Sequence, residues 1–106
     1  MKLTIVRGPA TGKVFQIEEG SNLIGRWDPE SGSFPEIDLE AEDQESKISR
    51  KHAVIARAGA VASVEDVGSL NGTFINRVTR LEPGQRHTLV AGDEIVVGKT
   101  FLKFEP

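Results

Sequence analysis

Along this chain apolar and polar positions alternate, and no run repeats with a helical period. Leu3 and Ile5 alternate with Lys2 and Thr4, Phe15 and Ile17 flank Gln16, and β-branched runs extend from His52 to Ala58 and from Ala60 to Asp66. Briefer segments of the same kind occupy Asn22 to Gly25, Ile37 to Leu39, Thr73 to Ile75, Arg86 to Leu89, Glu94 to Gly98 and Thr100 to Phe104, with a short piece near Arg80-Leu81. Short period-two segments bounded by turn residues predict half-buried strands, here about eleven and mostly antiparallel, in an all-β sandwich.

The turns support this division. Pro9 to Gly12 separates the first two strands, Gly59 makes a tight connection, and Asn71-Gly72 requires a positive φ. Pro83-Gly84 suits the two central positions of a type II turn, and Ala91-Gly92-Asp93 is expected to close a hairpin.

A chain of 106 residues is read as one domain over 1–106, able to hide roughly 65% of its unfolded surface. Hydrophobic residues at 38% and charged residues at 27% are a globular composition rather than a disordered one. The absence of cysteine excludes a disulfide framework, a thiolate zinc site and a thiol nucleophile. The apolar stretch after Met1 is too short for a signal peptide, and none reaches the roughly 18 residues of a membrane span. A cytoplasmic location, without membrane contact, is therefore expected.

Charge is distributed unevenly. The formal net charge is −3, yet Asp28 to Ser46 carries eight acids and no base, which leaves the remaining residues at +5. Against this background Ser49-Arg50-Lys51-His52 is a concentrated cationic entrance to a strand, and it asks for an anionic ligand.

Several chemistries fail on their own requirements. Gly8 to Lys13 has three residues between its glycines and Val14 after the lysine, whereas a phosphate-cradling Walker loop needs four and a Ser or Thr. Ser49 with His52 lacks an orienting carboxylate and an oxyanion hole, so a hydrolase is not indicated. Asp38, Glu40, Glu42 and Asp43 do not follow the ligand spacing of a calcium loop, and the acidic stretch reads as a solvated loop. Few aromatics and a large acidic segment disfavour nucleic acid. No metal or cofactor is expected.

Three groups remain: Gly25-Arg26; Ser49-Arg50-Lys51-His52; and Asp66-Val67-Gly68-Ser69-Leu70-Asn71-Gly72-Thr73. In this order, followed by Phe74-Ile75-Asn76 and by Ala91-Gly92-Asp93-Glu94-Ile95-Val96-Val97-Gly98, they resemble the forkhead-associated (FHA) domain over essentially the whole chain. The resemblance implies an eleven-stranded β-sandwich with binding loops at one end, no enzyme activity, and recognition of phosphothreonine in a partner from a serine/threonine kinase pathway. Such a ligand carries about −1.5 to −2 charges and three acceptor oxygens.

The resemblance assigns Arg26 as the guanidinium arm, Ser49 as a hydroxyl donor to the phosphate, Arg50 as a second cationic contact, and Asn71 as the holder of the ligand main chain. Gly25 belongs to the same motif as Arg26. His52, Asp66, Ser69, Gly72 and Thr73 are implied to brace the loops, and Lys51 is read as surface charge. Lys47, two positions before the serine, implies a preference for an acidic or polar residue three places after the phosphothreonine. Leu70 stands where some members supply a further polar contact, a loss of about 1.5 to 3 kcal/mol that Arg50 is placed to offset. The acidic connection between Arg26 and Ser49 is longer than a minimal member needs, long enough to repel acidic flanks of a ligand or to fold back on the basic site as an internal competitor. The alternative reading is an interaction or self-association module indifferent to phosphate.

Overall fold

In the computed structural model the chain forms eleven strands: β1 (Lys2–Ile5), β2 (Val14–Gln16), β3 (Gly20–Gly25), β4 (Ile37–Asp38), β5 (Lys51–Ala58), β6 (Val61–Asp66), β7 (Thr73–Ile75), β8 (Thr79–Arg80), β9 (Arg86–Thr88), β10 (Glu94–Val97) and β11 (Thr100–Glu105). Six form one sheet in the order β2-β1-β11-β10-β7-β8, and five form a second in the order β4-β3-β5-β6-β9. All neighbours are antiparallel except β3 and β4, which run parallel with Ile24 opposite Ile37. No helix is long and apolar enough to cross a membrane.

Alternation along each strand builds the core. Leu3 and Ile5 of β1, Ile95 and Val97 of β10, and Leu102 and Phe104 of β11 point inward from one sheet; Ile24, Ala53, Ile55, Ala62 and Val64 meet them from the other. Burying a valine-, leucine-, isoleucine- or phenylalanine-sized side chain stabilises by about 1.5 to 3 kcal/mol, so the nine of these eleven residues that are larger than alanine account for why two short-stranded sheets hold together.

The expected turns form, with one structural surprise. Gln85 N–H donates to Glu82 O at 2.9 Å across Pro83-Gly84, with Gly84 at φ +84°, as a type II turn requires. Asp93 N–H likewise donates to Val90 O at 3.0 Å, but Ala91-Gly92-Asp93 closes no hairpin: β9 and β10 lie in different sheets. Local turn chemistry specifies how the chain reverses, whereas the partner of the next strand is set by which apolar face it must bury.

The acidic segment corrects the solvated-loop expectation. From Ser33 to Leu39 burial alternates, with Ser33, Pro35, Ile37 and Leu39 inside, so this stretch is an extended strip along the sheet edge. Two 3₁₀ turns, Pro29–Ser31 and Glu40–Glu42, flank it. Several of its acids are structural acceptors. Asp38 Oδ1 takes the N–H of Trp27 and Glu40, and the Asp43 carboxylate takes those of Lys47 and Ile48.

Candidate functional site

The loop after β3, the segment before β5 and the β6–β7 connection meet at one end of the sandwich. A bulge between Ile24 and Gly25 brings β3 against the chain at Ser49-Arg50. Only glycine fits there, because a Cβ on residue 25 would lie 1.9 Å from Arg50 O. The next residue is then fixed by its N–H, which donates to Arg50 O at 3.0 Å. Its side chain reaches along the neighbouring loop, where Arg26 Nε donates to Ile48 O at 2.6 Å.

Arg26, Lys47, Ser49, Arg50, Leu70 and Asn71, drawn from distant parts of the sequence, line a single cleft of about 240 Å³ together with Ser46 and Ile48. The Ser49 hydroxyl oxygen accepts the Leu70 backbone N–H at 3.0 Å. With that lone pair engaged, its own proton is available to a ligand oxygen. Asn71 Nδ2 donates to Lys47 O at 3.0 Å, tying the two loops together while its amide oxygen stays open.

Behind the cleft is a hydrogen-bonded frame. His52 is fully buried; its Nδ1 accepts from Ser49 N–H at 3.0 Å and its Nε2 faces Gly72 O at 2.8 Å. That pair of partners requires the neutral ring protonated on Nε2, and burial holds its pKa below the ordinary value, with the Gly72 carbonyl acting in the opposite sense. Asp66 organises the third motif: Oδ1 accepts from Gly68 and Ser69 N–H, while Oδ2 accepts the Ser69 and Thr73 hydroxyls. Burial alone would raise its pKa, but those hydroxyl and amide donors outweigh it and hold the carboxyl below its usual range. Ser69 Oγ in turn accepts from Gly72 N–H at 2.9 Å. Gly72 adopts φ +92°, and a Cβ there would meet Arg80 Nε at 2.7 Å.

The charges are arranged less simply than the motifs imply. Arg50 Nε lies 2.5 Å from Asp28 Oδ2, so the second cation is drawn onto the acidic segment. Arg26 lies 3.6 Å from both Glu40 and Asp43. Sequence reasoning raised a fold-back of the acidic segment on the basic site without saying which acid meets which arginine, and it missed the edge-to-face Trp27–Phe34 pair at 5.1 Å and Ser33, whose hydroxyl donates to Arg50 O at 2.7 Å. The sequence signals were the run of eight acids from Asp28 to Ser46 and proximity, since Trp27 and Asp28 directly follow Arg26. Lys51 is exposed and lies outside the cleft lining.

Comparison with known proteins agrees with the architecture. The oxoglutarate dehydrogenase inhibitor of Corynebacterium jeikeium is 38% identical over 102 residues, which is 96% of this chain and 62% of that protein. The chain thus spans less than two thirds of the length of this curated relative. A solved structure of the FhaA FHA domain complexed with the intracellular domain of Rv3910 has a TM-score of 0.76 at 30% identity, covering 96% of each chain. Another, concerned with phosphothreonine-dependent FHA domain interactions, has a TM-score of 0.74 at 32% identity over 99% of this chain and 96% of that one. The FHA domain model matches residues 22–98, and the chain belongs to the FHA family.

Proposed function

We propose that this domain is a non-catalytic module that binds phosphothreonine in a partner protein and so couples a serine/threonine kinase pathway to protein assembly inside the cell. The observation that carries the reading is the meeting of Arg26 and Ser49 in one cleft, with the Ser49 hydroxyl freed to donate by the Leu70 N–H. A dianion with three acceptor oxygens suits a guanidinium, a hydroxyl and exposed cations at one point. Arg50 adds charge once it leaves Asp28, and Asn71 offers its free amide oxygen to an extended main chain. Lys47, at the same rim, favours an acidic residue in the ligand, while Leu70, 84% exposed, presents an apolar contact.

The relative named as an inhibitor of oxoglutarate dehydrogenase suggests that the full-length partner is a metabolic enzyme. The same comparison suggests that residues 1–106 are one domain of a longer regulatory protein.

Calorimetric titration with a phosphothreonine peptide selected from an oriented library, and with its unphosphorylated form, tests the reading. Binding of the phosphorylated form alone is expected, and Arg26→Ala should weaken it by about 2 to 5 kcal/mol with little change in melting temperature. Equal binding of both forms would favour a phosphate-independent interaction module instead.

A further inference from the structure

We propose that the groove between the β1–β2 turn and the β10–β11 turn is a subsite for a carboxylate-rich segment of the same ligand whose phosphothreonine enters the cleft; this rests on the phosphopeptide reading above. The groove, of about 450 Å³, is lined by Arg7, Gly8, Gly98, Lys99 and Phe101. Its chemistry is that of an anion site with an aromatic floor.

Two guanidiniums approach the Phe101 ring, Arg77 at 4.7 Å and Arg7 at 5.0 Å from its centroid. Arg77 is already committed, because Glu94 holds it through two N–H groups at 2.5 and 3.2 Å. Arg7 forms no ion pair, and its one described side-chain partner is the ring. A guanidinium stacked on an aromatic face loses little further freedom when it binds, and its N–H edge remains open to a carboxylate. The second wall is Lys99, whose contact with Glu45 at 2.8 Å is largely solvent-exposed on both sides, so it exchanges readily for a ligand acid.

The groove adjoins the phosphate cleft through a recess that Lys47 and Lys99 line together with Asp43 and Glu45. Gly98 packs so closely on the loop before β5 that a Cβ there would lie 2.8 Å from Ile48 Cγ1 and 3.0 Å from Lys47 Cβ, and Lys47 and Ile48 both line the cleft. A ligand leaving the cleft over Lys47 therefore reaches Gly98 first and Lys99 and Arg7 next. Of the nearby acids, Glu42 is held by Lys13, and Glu45, 56% exposed at its side chain, turns to solvent when a ligand acid takes Lys99, which leaves Arg7 as the groove cation without an ion pair. Cationic walls favour an acidic occupant over an apolar one.

The test is titration of a core phosphothreonine peptide, and of the same peptide extended on either side by a run of glutamates or, as controls, of lysines. One glutamate extension is expected to bind about threefold to tenfold tighter than the core at low salt. That gain should vanish in Arg7→Ala and shrink in Lys99→Ala, with affinity for the core peptide unchanged in both. Glutamate and lysine extensions of equal affinity would overturn the subsite, as would a glutamate gain that survives both substitutions. Failure of the core peptide itself to bind wild-type protein would instead overturn the phosphopeptide reading, and this inference with it. Should Arg7→Ala fail to fold by thermal unfolding, the exposed Lys99→Glu serves in its place and must abolish the gain.

Discussion

Gly25 shows how a single missing side chain positions a binding site. The Arg50 carbonyl occupies the space a Cβ would need, and the same carbonyl accepts the Arg26 N–H and the Ser33 hydroxyl. Gly25→Ala should therefore cost about 1 to 3 kcal/mol of stability or more, measured by urea unfolding, and weaken phosphopeptide binding because Arg26 moves with the backbone. His52 acts at the same scale through its protonation state. The unfolded chain takes up a proton near the ordinary value of 6.5, while the folded chain, needing Nδ1 as an acceptor, resists until lower pH. Its contribution is thus intact above about pH 6.5 and is lost progressively as the pH falls from there to the lower folded-state value, with a slope of at most about 1.4 kcal/mol per pH unit. Denaturant unfolding between pH 7 and pH 5 should show this slope in the wild type and not in His52→Asn. The depressed carboxyl of Asp66 has linkage of the same sign in a lower pH window: its stabilising effect persists above its unfolded value of 3.8 and disappears only in stronger acid, and the gap between the two windows keeps the effects apart.

At the level of elements, the acidic segment is the part whose structure the sequence concealed, although its charge pointed to a fold-back on the basic site. Its burial alternates from Ser33 to Leu39, but two of the four inward positions are serine and proline, so only Ile37 and Leu39 signalled a strand. The remaining acids read as solvent-facing because carboxylates usually are. Folded, the segment brings Asp28 onto Arg50 and Glu40 with Asp43 near Arg26, so an incoming phosphate meets cations that already have partners. Asp28→Asn releases Arg50 and should tighten phosphothreonine binding about twofold to fivefold at low salt, as titration against the wild type would show. Weaker binding would mean that Asp28 orients Arg50 for the ligand rather than competing for it. The third motif was far more legible. Asp66, Ser69 and Thr73 sit at spacings that let one carboxylate collect two hydroxyls and two amides, a local arrangement that short-range chemistry decides.

Over the whole molecule, the two sheets share one core, and the site lies where two loops of the five-stranded sheet meet the β6–β7 connection that crosses to the other sheet. Asn71 and Gly72 lie between β6 of one sheet and β7 of the other, so the cleft depends on both sheets being packed. Charge divides along the same line: a body at +5 carries the ligand contacts, and a segment at −8 wraps beside them. Because the recognition charges lie at the surface, phosphopeptide affinity should fall about threefold to tenfold as ionic strength rises from about 0.05 to about 0.5 M. Titration across that range checks it, and an affinity indifferent to salt would mean that apolar contacts around Leu70, Trp27 and Phe34 dominate.

The sequence alone determined the class of fold and the parts of the site, since strand periodicity, turn residues and the residues of each motif are properties of neighbours along the chain. Tertiary structure decided which charges face one another. It paired Arg50 with Asp28, turned the Leu70 N–H onto Ser49, and set Gly98 against Lys47. Those contacts join residues far apart in sequence, and they form only when packing of the shared core fixes the distances between the loops it carries.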